Sequence, residues 1–126
     1  NIANLEVTDN SNPSLPVVGV RFAWQINPKQ PEKNDDTVWL EGTAHMALAL
    51  RVSGKKKHTQ KAGVYLDSIH KEQLYGPNAD GKGIQANSRE GFSGGDDKSH
   101  TSLHTGATAW YIMAKQELNP FHLATK

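Results

Sequence analysis

Glu41 is the residue whose surroundings point most directly to chemistry. It lies in the run VWLEGTAHMALALRV, residues 38–52, where a carboxylate is costly to bury without a partner. Counted from Thr37 as a helix cap, Glu41 falls one position beyond the one that a capping box requires. His45 follows four residues later on the same helical face, so one interpretation is a buried carboxylate–imidazole pair. The other is a carboxylate that faces a cavity as a proton donor or as an acceptor for sugar hydroxyls.

Hydrolysis of a glycosidic bond would require a second carboxylate close to Glu41. The nearest acids along the chain are Asp35 and Asp36, and Asp96 and Asp97 lie in a glycine-rich loop. Helix capping and loop solvation explain all four more simply than catalysis does. Glu41 is therefore the one catalytic residue that the sequence predicts, in the role of an acid.

Two further side chains have the shape to contact a sugar. Trp39 offers a flat ring that either stacks on a sugar face or belongs to the core. Arg89 carries a planar fork suited to a carboxylate or to vicinal hydroxyls, and its alternative is a salt bridge with Glu90 or with an aspartate of the same loop. The predicted substrate-binding residues are Trp39, Arg89, His104 and His45.

His104 immediately precedes a predicted helix that Ser102 or Thr105 would cap, so it either orders the loop or contacts a ligand. His100 and His104 have the spacing of a helical metal-binding pair, but Gly94-Gly95 nearby favours a loop. We therefore predict no metal site. Because the sequence contains no nucleophile elbow, P-loop or dinucleotide fingerprint, we expect no cofactor.

Three helices are predicted to position these residues, over 38–52, 58–74 and 105–118. Asn34 to Thr37 is a cluster of cap formers before the first helix. The first and third helices are apolar on nearly every side, and the second is amphipathic. The first and third also begin alike, with Gly42-Thr43-Ala44 and Gly106-Ala107-Thr108, which is a weak internal repeat.

The rest of the chain is predicted to be irregular. Residues 75–104 contain six glycines, and a loop of that length is usually functional or disordered. Residues 1–33 are rich in proline and are predicted to be an extended lead-in segment, separate from a helical portion over 34–126. Within the lead-in, residues 17–24 form either a strand or a segment laid across another surface.

Three segments together resemble the closing portion of bacterial α/α-toroid proteins of carbohydrate-active type: TVWLEGTAHMALAL, KGIQANSREGF and SLHTGATAWYIMAKQELNPF. The resemblance covers roughly residues 34–121 and implies an all-α fold of helical hairpins, in which inner helices ring a cavity and outer helices wrap them. It implies an oligosaccharide or polysaccharide ligand in that cavity. Because three helices cannot close a ring, we expect a C-terminal fragment completed by the remainder of the same protein or by a second chain.

The charge balance excludes other partners. Fourteen basic residues against thirteen acidic ones leave a formal charge of +1, and the lysines are mostly dispersed, so nucleic acid is not an expected partner. No apolar run approaches the roughly 18 to 20 residues that span a membrane. The absence of cysteine is compatible with either redox compartment, and we expect a secreted or periplasmic location.

The sequence thus predicts a carbohydrate-active protein, leaning towards a glycoside hydrolase with Glu41 as its acid. One alternative is a non-catalytic glycan-binding or scaffold protein, which needs no paired acids. Another is a polysaccharide lyase, which would prefer a Tyr or His base together with a cation, although Tyr111 lies deep in the third helix. A purely structural helical module that contacts a protein through residues 75–104 is the last alternative.

Overall fold

The computed structural model describes residues 5–23, 36–92 and 98–122. Within these ranges the chain forms three helices, α1 (Leu40–Val52), α2 (Lys56–Tyr75) and α3 (Thr105–Gln116). It also forms four short strands, β1 (Glu6–Asp9), β2 (Val17–Val20), β3 (Gly91–Phe92) and β4 (Lys98–Ser99). The strands make two antiparallel pairs, β1 with β2 and β3 with β4.

The predicted all-α fold of helical hairpins is wrong. The described residues form three helices and two small antiparallel sheets, which is a mixture of helix and sheet. Hydrophobic alternation did not predict β1, because the two residues that this strand buries are Val7 and Asp9. An aspartate is polar, so it is not counted as a core position in such a pattern. Its pairing with β2, in the register Glu6 to Val20, is what organises the N-terminal residues.

The β1–β2 hairpin packs directly on the helices. A Cβ atom on Gly19 would lie 2.5 Å from both Thr43 Oγ1 and Val38 Cγ1, so only glycine allows this strand to approach so closely. The amide of Val20 donates to Thr43 Oγ1 at 3.0 Å, and the amide of Val18 donates to the Ser68 hydroxyl at 2.9 Å. The hairpin therefore belongs to the same core as α1 and α2.

Helix α1 is the centre of the fold and contacts both α2 and α3. It begins at Leu40, with Trp39 in the N-cap position and no side-chain cap, so the capping role predicted for the polar cluster at 34–37 is wrong. The first free amide is satisfied instead by the loop, because Leu40 N–H donates to the Ala86 carbonyl at 3.1 Å. Asn34 and Asp35 lie outside the described residues.

Helix α3 is less buried than its composition predicts. Its buried side chains are Ala107, Tyr111 and Ala114, whereas Ile112 is 49% exposed. Helix α1 covers most of what α3 buries, so the opposite side of α3 has no cover within the described residues.

Residues 84–88 lie in the segment between α2 and α3 and are all buried. We call these five residues the strap. Isolated bridges join Trp39 to Asn87 and Gln85 to Leu103. Ser88 N–H also donates to the Val38 carbonyl at 3.0 Å, and His104 N–H donates to the Ile84 carbonyl at 2.8 Å. The strap therefore holds the residues that precede α1 and α3 side by side, which brings together the starting ends of the two helices.

Candidate functional site

Glu41 lies in the first turn of α1 between two imidazoles. Its Oε1 is 3.8 Å from His45 Nε2, and its Oε2 is 3.6 Å from His104 Nδ1. The side chain of Glu41 is 23% exposed, and those of the two histidines are about twice as exposed. Three of the predicted site residues are thus brought to one place, where the first turns of α1 and α3 meet.

Gly106 makes room for the carboxylate at the start of α3. A Cβ atom on Gly106 would lie 2.9 Å from Oε1 of Glu41 and 3.0 Å from its Cδ. Glu41 is therefore packed against the first turn of α3 as well as lying in the first turn of α1. The N-terminal ends of helices carry partial positive charge, so both helices attract a negatively charged carboxylate here. Such a carboxylate is well placed to accept hydrogen bonds from hydroxyl groups.

His104 is itself the N-cap of α3, so the prediction that Ser102 or Thr105 would cap this helix is wrong. Its Nδ1 accepts a hydrogen bond from the Ala107 amide at 3.1 Å. In the neutral imidazole this arrangement puts the proton on Nε2, which leaves that nitrogen as a donor. His104 therefore orders the loop and carries a donor group beside Glu41.

Five rings follow one another past the carboxylate, and we call Phe22, Trp39, His45, Trp110 and Phe121 the aromatic row. Ring centroids are 5.0 Å apart for Phe22 and Trp39, and 6.3 Å apart for Trp39 and His45. His45 and Trp110 are 3.6 Å apart, and Trp110 and Phe121 stack at 6.0 Å. The outer members are the most open, with Phe22 62% and Phe121 82% exposed.

Two cavities adjoin the site, one beside each imidazole. His45 lines a mostly apolar cavity of about 450 Å³ together with Leu48, Val52, Trp110 and Phe121. His104 lines a second cavity of about 350 Å³ on the other side of α3, with Leu103 and Ile112 among its walls. Glu41 lies within 4 Å of one histidine from each cavity.

Comparison of the chain with protein-family models, curated proteins and solved structures finds no match. None of the helices in the described ranges is long and apolar enough to cross a bilayer.

The surroundings of His45 favour its neutral imidazole. Burial lowers the pKa of His45 below its ordinary value of 6.5, and the neighbouring Glu41 carboxylate opposes this shift only in part. Its Nε2 is buried and makes no hydrogen bond within the described residues. His45 therefore acts in this site chiefly as a ring that packs against Trp110.

Arg89 is the predicted site residue that is not brought to Glu41. Its Nε donates to Asp9 at 3.1 Å. Asp9 also accepts hydrogen bonds from the Ser88 hydroxyl and the Ser11 amide. Burial alone would raise the pKa of Asp9, but these hydrogen bonds and the Arg89 charge outweigh it and leave that pKa below its ordinary value. Arg89 thus compensates a buried charge in the core.

The other candidate acids do not join Glu41 in the described structure. Asp36 is exposed and pairs with Arg21 at 3.0 Å. Asp35, Asp96 and Asp97 lie outside the described residues. Residues 100–104 are not helical, so His100 and His104 lack the helical geometry of a metal pair. Within 5–23, 36–92 and 98–122, no group of three or more acids and histidines could hold a metal ion.

Sequence reasoning missed Trp110, Phe121 and Gly106. Trp110 was hidden in a run that is apolar on every side, where the pattern indicates burial and not a ligand surface. The weak repeat was the available signal, because its two glycines have matching roles. Gly42 gives space to the Trp39 ring, as Gly106 does to Glu41.

Proposed function

We propose that this chain binds a glycan along the aromatic row, with Glu41 and His104 as its hydrogen-bonding groups. The observation that carries the proposal is a continuous row of rings that passes a partly exposed carboxylate. Sugar rings present apolar C–H faces that pack on aromatic side chains, and their hydroxyls need acceptors and donors at the edge.

The two polar groups have complementary roles in this proposal. Glu41, held against two helix starts, accepts hydrogen bonds from sugar hydroxyls. His104 donates from Nε2, because its Nδ1 is engaged by the Ala107 amide. Phe121 and Phe22 extend the contact surface on either side, since both rings are largely exposed.

Glycan binding without hydrolysis is better supported than a glycoside hydrolase. A hydrolase needs two carboxylates, roughly 5 to 10 Å apart, on either side of the scissile bond. In the described part of the chain, the ion-pair partners of Glu41 are imidazoles. Hydrolysis with Glu41 as the acid stays the second candidate, favoured by the partial exposure of that carboxylate beside two cavities.

The lyase alternative is weaker. Its base would be a tyrosine or histidine, and Tyr111 is buried in α3. Burial, with a smaller effect from Asp67, raises the pKa of Tyr111 above its ordinary value, which disfavours the phenolate that a base would require. A lyase would also need a cation beside the uronate, and Arg89, whose fork suits a carboxylate, is paired with Asp9.

Binding is tested by titrating the whole chain with neutral, amino and acidic oligosaccharides while following tryptophan fluorescence. Phe121→Ala should weaken binding by about threefold to tenfold, since stacking contributes about 0.5 to 1.5 kcal/mol. Glu41→Gln should weaken it by about tenfold or more, since a charge-assisted hydrogen bond contributes about 1.5 to 3 kcal/mol. Tyr75→Ala is the matched control, because Tyr75 is also an exposed ring, at 69%, but lies at the end of α2 and is not one of the five rings of the row.

The proposal fails if no oligosaccharide binds, or if Phe121→Ala and Tyr75→Ala behave alike. A parallel assay for released reducing ends separates binding from hydrolysis. Turnover that disappears in Glu41→Gln would favour the hydrolase over the binding protein.

A further inference from the structure

The carboxylate of Glu41 has no permanent positive charge beside it in the described residues. Its ion-pair partners are His45 and His104, and neither is a lysine or an arginine. Burial lowers the pKa of His45, which favours the neutral ring. His104 presents Nδ1 to Glu41, and that nitrogen already accepts a hydrogen bond from Ala107. The site therefore offers a partly exposed carboxylate that has no lysine or arginine beside it.

The rings around Glu41 add to this preference for positive charge. The faces of aromatic rings are electrostatically negative and attract cations, and tryptophan does so most strongly. Trp39 and Trp110 stand on either side of His45 in the aromatic row. His45 lies one turn from Glu41 along α1, with its Nε2 3.8 Å from the carboxylate. A uronate or a sulfate would be repelled by the carboxylate and by the ring faces.

Charge and shape together point to one class of sugar. We propose that the glycan bound by the aromatic row carries free, protonated amino groups, and that one ammonium group pairs with Glu41. This inference rests on the proposed glycan-binding function. An oligomer of glucosamine has this chemistry, because each unit offers an apolar ring face and a cationic amine. Its N-acetylated counterpart has the same ring and linkage without the charge.

The experiment compares two oligomers of equal length and linkage, glucosamine and N-acetylglucosamine, at a pH where the amines are protonated. We expect the glucosamine oligomer to bind about tenfold more tightly, the usual advantage of a charge-assisted hydrogen bond. Added sodium chloride should weaken binding of the glucosamine oligomer and leave binding of the acetylated oligomer nearly unchanged. Glu41→Gln should weaken binding of both oligomers and make the two affinities nearly equal.

Glu90→Gln is the matched control, because Glu90 is an exposed carboxylate that pairs with Lys98 at 3.5 Å. It should keep the full preference for glucosamine. Equal binding of the two oligomers by the unmodified chain would overturn the inference, and so would a preference that survives Glu41→Gln.

These failures are distinguishable from failure of glycan binding itself. If both oligomers bind equally and Phe121→Ala weakens both, the aromatic row binds glycans but does not select amino sugars. If neither oligomer nor any neutral glycan binds, the proposed function fails together with the inference.

Discussion

Glu72 is predicted to make the stability of this protein fall as the pH rises towards neutrality. It is 2% exposed, and its Oε2 accepts a hydrogen bond from the Gln85 side chain at 2.9 Å. Burial, with a further contribution from the Asp9 charge, raises the pKa of Glu72 from 4.5 to about 7, although the Gln85 hydrogen bond opposes the shift. The folded chain therefore holds a proton that the unfolded chain releases.

The sign and size of the effect follow from this difference. Between pH 4.5 and about 7 the folded state binds more protons at Glu72 than the unfolded state does, so the free energy of unfolding decreases as the pH rises. At 1.36 kcal/mol for each pKa unit, the total loss is about 3 kcal/mol. His45 has the opposite sign, because its lowered pKa makes stability increase up to pH 6.5, but its side chain is 41% exposed and its effect is smaller.

The assay is urea unfolding of the whole chain at a series of pH values, followed by circular dichroism. Glu72→Gln replaces the acid with a neutral group of the same shape, so its stability should lack the loss above pH 4.5. The difference in the free energy of unfolding between Glu72→Gln and the unmodified protein should change by about 3 kcal/mol between pH 4.5 and about pH 8. Glu90→Gln, at an exposed carboxylate, should follow the unmodified protein throughout. Parallel curves for the unmodified protein and Glu72→Gln would refute the reasoning.

Two further predictions concern the site and the core. Gly106→Ala should weaken glycan binding, because the new methyl group displaces Glu41. Gly63→Ala is its control: a Cβ atom there would have nothing within 4 Å, so binding should be unchanged and α2 should be stabilised by up to about 1 kcal/mol. Equal glycan affinities for the two variants would contradict this prediction. Arg89→Ala should lower the free energy of unfolding by about 1 to 3 kcal/mol, because it leaves the buried carboxylate of Asp9 without its cation. Its glycan affinity, measured in the same titration, should not change, and a selective loss of affinity with normal stability would return Arg89 to the site.

Local patterns in the sequence predicted features that depend on a single helix, such as its buried face or a pair of side chains one turn apart. The stripe of α2 that contains Ala62, Tyr65, Leu66 and Ile69 is buried, as an amphipathic period indicates. Glu41 and His45 lie within 4 Å because they are one turn apart on a single helix, so their pairing required no knowledge of the rest of the fold.

The remaining features depend on contacts between distant parts of the chain. The partner of Arg89 is Asp9, eighty positions away, and local reasoning could only offer Glu90 or a nearby aspartate. Residues 17–24 were left open between a strand and a segment laid across another surface, because β2 becomes a strand through its pairing with β1, and its glycine is explained only by the approach of α1. Trp110 joins the aromatic row because α3 packs on one side only, which composition does not reveal.

The strap at residues 84–88 separates two properties that usually change together. Its main-chain bonds set how far apart the two helices start, whereas the groups offered to a ligand come from the helices and their caps. Substitutions in the strap could thus widen or narrow the gap and leave the chemistry of its walls intact. Substitutions in the strap thus offer related sequences a way to fit ligands of different width, through residues that do not contact the ligand.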